Sequence, residues 1–494
     1  MNAVKAYLYT AATAAVFLLV LWGTMGLPEP YVHDEFAYLF GADTFLEGRL
    51  TNPTPPVPEA FETFQINVEP TYHSKYPPAQ SVVLALGILM FGHPVYGVWL
   101  SFILAALAVV WALQALVPDR WAFLGGLLSA VNITLLIKWA FSYWGGSVAM
   151  LGGALFMGGL IRIYQQPRYR FSLPLCSGLI LMAFSRPLEG LLTAAPLLLY
   201  CFAAVILQNR ERSPLRTYGP VFGTVCLTGI LILLLNLFYN HTLTGDMFLF
   251  PHRLWTAATA SDPIIQAYTG SAQTTFLFRI GRLFITFVGP VLWIPLIVAV
   301  RKTAPPVVIP AAISFLGVIL FASLTSRAWP HYVAPAVPLA IGLIVVGCKR
   351  LSEWRVRGLA AGPACFALLL VLHFSNELAG LIHYAPRTIH FEASRKNGMT
   401  FKGDLDQFFE GKPGNHLVLV HYLEGHALSW EFVYNRADLS SAKVIWARDV
   451  SPKKNRMLFE AYPDRQKWFM TVRTRPIDLI SLPDGKIPEI PVME

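Results

Sequence analysis

The chain has 494 residues, 55% of them hydrophobic and 14% charged, with a mean hydropathy of +0.51. A soluble protein of this length carries far more charge on its surface, so a soluble globular enzyme is excluded. The net charge of +9 does not mark a nucleic-acid binder. Much of the excess lies in short connections between apolar runs, where basic residues set topology.

The chain opens with "MNAVKAYLYTAATAAVFLLVLWGTMGLPEP". Its apolar run is too long for a signal peptide and lacks a small-x-small cleavage site, so an uncleaved signal-anchor helix is expected. Apolar windows predict about eleven transmembrane helices. They lie near 6–27, 94–116, 121–141, 147–164, 172–185, 188–207, 219–238, 280–300, 307–324, 333–348 and 359–378. With the N-terminus in the cytoplasm, "VPDR", "YQQPRYR", "QNRERSPLRTY", "RKTAPP" and "CKRLSEWRVRG" fall inside, and nearly all carry the Lys/Arg excess expected there. The fold class expected is an α-helical polytopic protein of the cytoplasmic (inner) membrane.

Three pieces then lie outside. The first, 28–93, is Pro-rich and contains "AQSVVLALGILMFG", too short for a span and suited to the membrane surface. The second, 239–279, carries "NHTLTGDMFLFPHRLW". The third is the tail, where hydropathy drops. There "HLVLVHY", "AKVIWARDV" and "KWFMTVRT" read as strands, and "LSWEFVYN" and "NRMLFEAYPDR" as helices. The expected division is a transmembrane domain over 1–378, including both outer loops, and a small extracytoplasmic α/β domain over 379–494. The five cysteines show no CxxC or Cys/His spacing, so zinc, haem and iron–sulfur sites have no support.

Candidate chemistry begins at "EPYVHDEFAYLF", where Asp34 and Glu35 follow the first span. Charge that merely ends a helix is the commoner explanation of such a pair. Its aromatic neighbours Tyr31, Phe36 and Tyr38, and the continuation "FAYLFGADTFLEG", which reads as a second, membrane-skimming helix, point further. A carboxylate in a half-dry setting has a tunable pKa and can take a proton from a bound hydroxyl. The pair is equally suited to a divalent cation such as Mg or Mn. In "YHSKYPPAQSVVLALG", Lys75 precedes Pro77-Pro78, which suit a first helical turn. A lysine here is either a snorkelling anchor or the cation for a lipid-linked phosphate.

The Asp-Glu pair, the Lys/Pro-Pro element and the late segment "SRAWPHYVAPAVPLAIGL" together resemble the GT-C membrane glycosyltransferases. The protein O-mannosyltransferase and lipid A aminoarabinose transferase group, with its "RYLLPxxPxLAL" pattern, is nearest. The resemblance runs to about residue 345 in element order and loop sidedness; the tail lies outside it. It implies a polyprenyl-phosphate sugar donor and transfer, with inversion, to a hydroxyl of a lipid, glycan or protein acceptor. It further implies Asp34 as general base, Glu35 as its support or as a metal ligand with it, and Lys75 on the donor phosphate. Arg327, His331 and Tyr332 would approach the same phosphate. The aminoarabinose transferases place lysine directly before the two prolines, whereas Tyr76 intervenes here. His73 therefore stands as an alternative to Lys75, and either Arg327 or His331 fills the family's arginine role.

Other polar residues carry two readings each. Arg186 and Glu189 in "FSRPLEGLL" are expected to pair at an outer turn, since an unpaired charge at mid-membrane costs roughly 2.5–3.5 kcal/mol; substrate contact is the alternative. Lys138 reads as a snorkelling anchor. Tyr143 and Trp144 in "SYWGGS" either pack the outer edge or line a sugar pocket, which His73 and Tyr76 would share. Asp246, His252 and Arg253 lie on the second outer loop, within reach of such a site. His416, His421 and His426 read as surface residues of the tail domain. A transporter or lipid flippase is the competing function; such folds usually show repeats and midplane polar sites, and no repeat is visible.

Overall fold

The computed structural model describes residues 1–208, 214–260, 274–300, 306–325, 328–395, 399–423, 426, 431–472 and 478–482. Every apolar window read from the sequence coincides with helix. Among the described residues, seven helices are long and apolar enough to cross a membrane: Ala3–Met25, Pro94–Leu113, Ser147–Gln165, Pro187–Leu207, Tyr218–Thr244, Ala334–Ser352 and Ala361–His383. Two more windows are bent pairs, Asp119–Val131 with Ile133–Ala140 at 48° and Phe276–Val288 with Trp293–Ala299 at 87°. The windows at 172–185 and 307–324 form shorter helices of 12 and 17 residues, Ser172–Ala183 and Val308–Leu324. At 1.5 Å per residue these rise about 18–25 Å, less than the ~30 Å hydrocarbon core. The protein is thus a multi-pass membrane protein with seven to nine such spans among the described residues, fewer than the windows suggested.

The chain divides into two compact units. A helical unit comprises 1–28 and the described parts of 77–235 and 269–386; a mixed unit comprises 29–76 and the described parts of 236–268 and 387–494. The helical unit packs small residues where backbones approach. Gly153 and Gly347 are examples, since an added Cβ would lie 2.0 Å from the Pro335 carbonyl and 1.7 Å from that of Pro295. Its first bent pair breaks at Asn132, whose side chain accepts from Leu135 N (3.0 Å) while Glu377 Oε2 accepts from Ile133 N (2.7 Å). The next turn, Leu136–Ala140, is π-helical, a geometry frequent at functional positions.

The mixed unit contains a short antiparallel ribbon, β1 (Ile66–Asn67) and β2 (His73–Ser74). It also contains a sheet of β3 (His416–Tyr422), β4 (Val444–Arg448), β5 (Gln466–Val472) and β6 (Asp478–Ser481), in the order β4-β3-β5-β6. β3 runs parallel to β4 and β5, and β6 is an antiparallel edge. The helix Pro452–Ala461, capped by Ser451, crosses between β4 and β5, as parallel pairing requires. Leu417, Leu419, Ile445, Ala447 and Phe469 pack one face with Val57 and Phe61 of the segment 29–76. Val418, Val420, Trp446 and Met470 pack the other with Leu405 and Phe409. The run Leu417–Val420 within β3 is therefore apolar at every position because both of its faces are covered.

The helix expected at "LSWEFVYN" is absent from its described part, residues 431–435. Glu431 Oε1 accepts from Val433 N and the Tyr422 hydroxyl accepts from Phe432 N, both at 2.9 Å. Side chains thus satisfy amides that a helix would satisfy with its own carbonyls. Nearby, Arg436 makes a bidentate pair with Asp43 (2.6 and 2.8 Å), and Asp43 Oδ2 also accepts from Ala437 N at 2.7 Å. Asp43→Ala leaves that amide and guanidinium without their acceptor and is expected to cost about 1.5–3 kcal/mol. A thermal midpoint equal to the parent's in detergent would show that this pair does not hold the unit together.

Candidate active site

Asp34 and Glu35 lie in the first turn of the helix His33–Leu46. Adjacent helical residues point about 100° apart, and the two carboxylates separate accordingly. Glu35 turns back to cap its own helix: Oε2 accepts from Tyr31 N at 2.9 Å and Val32 N at 3.2 Å. This is the carboxylate half of a capping box, and Glu35 is fully buried in it. Asp34 is half-buried. Its Oδ1 accepts from the Tyr76 hydroxyl at 2.6 Å, and its second oxygen accepts no hydrogen bond among the described residues. Tyr76 is fixed in turn by stacking on Tyr38, with ring centroids 4.5 Å apart. The residue that interrupts the family's Lys-Pro-Pro order is the one that tethers Asp34.

Lys75 follows β2, its amide donating to Gln65 O at 3.2 Å. Its side chain is 6% exposed and makes no hydrogen bond or ion pair among the described residues. Nζ lies 3.6 Å from the centroid of the Trp255 ring and 5.4 Å from that of Tyr76. Burial pushes its pKa down from 10.5 to about 7, against the opposing pull of the Asp34 charge. A buried ammonium held on an aromatic face, with no acceptor bonded to it among the described residues, has room for an anionic partner.

His73 is committed elsewhere. Its Nε2 accepts from Asn67 Nδ2 (3.1 Å) and Nδ1 donates to Thr71 O (2.8 Å), so both ring nitrogens of the neutral tautomer are used. Burial lowers its pKa to about 4. The histidine braces the ribbon, and of the two alternatives Lys75 is the one whose polar head remains unsatisfied.

Asn67 Nδ2 also donates to Pro251 O at 3.0 Å, joining the ribbon to the helix Pro251–Ala258. Pro251 and Trp255, one turn apart, are the buried residues of that helix, while His252 and Arg253 are exposed. Trp255 is the site residue that sequence reasoning missed. Its signal was helical: a proline suited to the first turn, with an aromatic at i+4. Asp246 is likewise structural, accepting from Phe248 N at 2.8 Å.

No three His, Cys, Asp or Glu side chains gather as a cation's ligand set among the described residues. Glu35 Oε2 is taken by two amides and Asp34 Oδ1 by the Tyr76 hydroxyl, which leaves the second oxygen of Asp34 for a further partner. The tail histidines form no such set either: His421 Nδ1 pairs with Asp449 at 2.7 Å, and His416 Nδ1 accepts from Trp468 Nε1 at 3.2 Å.

The helical unit holds the other candidates. Tyr143 is structural, its hydroxyl donating to Pro28 O at 2.6 Å. Arg186 lies 5.1 Å from the Tyr332 ring, and Glu189 makes no ion pair among the described residues, so the expected Arg186–Glu189 bridge does not form. Trp144 packs against Trp329 (5.1 Å) and His331 (5.4 Å). Arg327 lies outside the described residues.

No family model matches the chain, and no curated protein matches it. Solved structures do. ArnT from Cupriavidus metallidurans in the apo state is similar with a TM-score of 0.54 at 13% identity, covering 97% of this chain and 99% of that one. The same protein bound to undecaprenyl phosphate is similar with 0.53 at 13% identity and the same coverage. The Archaeoglobus fulgidus oligosaccharyltransferase in its apo form is similar with 0.52 at 10% identity, over 94% of this chain and 69% of that one. At these identities the likeness is one of fold, and it bears out the resemblance carried by the motif order: the chain has the GT-C fold.

Proposed function

We propose that this protein is a membrane glycosyltransferase that moves a sugar from a polyprenyl-phosphate donor to a hydroxyl acceptor on the outer face of the cytoplasmic membrane. The observation that carries it is the juxtaposition of the Tyr76-tethered Asp34 carboxylate with the buried ammonium of Lys75. The fold supports it, since structures of that fold have been solved with undecaprenyl phosphate and with dolichol-phosphate.

The acceptor oxygen attacks the anomeric carbon, and its proton passes to the second oxygen of Asp34. The bond from that carbon to the phosphate oxygen breaks, and the electron pair leaves with the polyprenyl phosphate. Lys75 offsets the charge that develops there, in a setting dry enough for the interaction to be strong. A single displacement of this kind inverts the anomeric centre. Acceptors with hydroxyls on lipid, glycan or protein all satisfy the chemistry. Glu35 supports Asp34 by fixing the start of the helix that carries it.

The direct test offers purified protein a panel of polyprenyl-phosphate sugars together with hydroxyl acceptors. Consumption of one donor, with release of polyprenyl phosphate, is expected. Lipid translocation in vesicles without consumption of any donor would favour a flippase instead. Sidedness has its own test: with the N-terminus cytoplasmic, a reporter fused after residue 494 is expected to be active only outside the cytoplasm. A cytoplasmic signal would overturn the assignment of the site to the outer face.

A further inference from the structure

Within the mixed unit, residues 431–437 run between β3 and β4 and grip the helix His33–Leu46 at two places. Near its start, Tyr434 stacks on Phe36, with ring centroids 4.2 Å apart and planes 6° from parallel. Burial first, then the charge of Glu431, raises the Tyr434 pKa well above 10. The phenol therefore stays a donor, and its hydroxyl donates to His33 Nδ1 at 2.5 Å. Near the other end of the helix, Asp43 takes the bidentate Arg436 pair and the Ala437 amide. From His33 to Asp43 the helix rises about 15 Å.

This strap is itself fixed to the sheet. Asn435 Nδ2 donates to Trp446 O of β4, and Trp446 N donates to Asn435 Oδ1, both at 2.8 Å. Glu431 accepts from Arg448 of β4 and from the Tyr422 hydroxyl of β3. Asn435 thus holds β4 while Tyr434 and Arg436, on either side of it, hold the helix. That is the alternation of an extended chain.

The gripped residues His33, Phe36 and Asp43, with Phe40 between them, recur at spacings of three and four and so form one stripe of the helix. Asp34 lies about 100° round from His33, where its carboxylate meets the Tyr76 hydroxyl. Tyr434 and Ala437 pack with Ala37 and Phe40, and Tyr76 lies against the same cluster. Two attachments about 15 Å apart fix both the slide and the roll of the helix. A roll would swing the carboxylate away from its tether, and a misplacement of about 1 Å can cost ~10²-fold in rate.

We propose that Tyr434 and Arg436 are positioning residues for sugar transfer: by holding one stripe of the helix His33–Leu46, they set the roll that aims Asp34 at the acceptor hydroxyl. Both act through the helix and not on the substrate. The proposal rests on the reading of Asp34 as general base, and it gives residues 431–437 a part in the reaction.

The test measures kcat with the polyprenyl-phosphate sugar that the full-length protein consumes, and affinity for undecaprenyl phosphate, in the parent and Asp34→Asn backgrounds. In the parent, Tyr434→Ala is expected to lower kcat by about 10–100-fold, with undecaprenyl phosphate affinity little changed. Tyr434→Phe keeps the stack on Phe36 and is expected to recover most of that loss. Arg436→Gln should give a smaller fall, since Arg436 is exposed and exposed pairs contribute little. In the Asp34→Asn background, Tyr434→Ala is expected to lower the residual rate no further, because no base remains to be aimed. A fall by the same factor in both backgrounds would show that Tyr434 serves folding alone and overturns the positioning role. Parental kcat in the folded Tyr434→Ala variant overturns it too, provided that Asp34→Asn is impaired. Parental transfer by Asp34→Asn is instead the failure of the base assignment, and the proposal falls with it. Should Tyr434→Ala fail to fold, Tyr434→Leu decides by the same two comparisons.

Discussion

Asp34→Asn is expected to lower sugar transfer by about 10²–10⁴-fold, the usual contribution of a general base, while folding and membrane insertion stay as in the parent. The substitution is nearly isosteric, and an asparagine Oδ1 can still accept the Tyr76 hydroxyl that now binds Asp34 at 2.6 Å. What is lost is the second carboxylate oxygen, replaced by an NH2 that cannot take a proton. The fall should therefore appear in kcat, with donor affinity little changed. Tyr76→Phe, which leaves the carboxylate but unties it, should give a smaller loss. Transfer at the parental rate by the Asp34→Asn variant would place the base on another residue.

Lys75→Met should weaken binding of a polyprenyl-phosphate donor by about 10–100-fold, with acceptor binding spared. Methionine keeps apolar contact with Trp255 and removes only the charge. The wild-type protein should also show a pH signature that the variant lacks. With its pKa pushed down to about 7, Lys75 is already protonated in the free protein below that pH. Above it, the free protein carries a neutral amine, and binding a phosphate must draw a proton from solution. Donor affinity should then fall by up to ~10-fold per pH unit above about 7, because each unit of pH reduces the protonated fraction tenfold. Equal donor binding by the two proteins, or a flat profile between pH 6 and 9 in the wild type, would remove Lys75 from the phosphate.

Particular residues show where sequence reasoning stopped. The span windows and the β3, β4 and β5 strands were legible because hydropathy and its period are local properties of the chain. The bends at Asn132 and Gly289 were not, since each runs through apolar sequence that reads as one window. "LSWEFVYN" has a helical pattern, yet its Phe432 and Val433 amides are taken by the side chains of Tyr422 and Glu431. A competing set of side-chain acceptors does not show in periodicity. His73 and Lys75 were equal candidates in sequence, because nothing local distinguishes a histidine with both nitrogens satisfied from a lysine with none of its hydrogens bonded. Arg186 and Glu189, three residues apart at the turn between two helices, were expected to pair, but Arg186 faces the Tyr332 ring instead.

By itself the sequence determined a polytopic membrane protein with an α/β tail, and placed Asp34, Tyr76 and Lys75 on one loop after the first span. Those are consequences of composition, period and order along the chain. Only the tertiary structure decided that Glu35 caps its helix, that Tyr76 ties Asp34, and that Trp255, from a distant loop, lies beneath Lys75. Each of those outcomes depends on which side chain reaches a polar group or ring first once the chain is folded. That competition is settled by distance and desolvation, which have no one-dimensional signature.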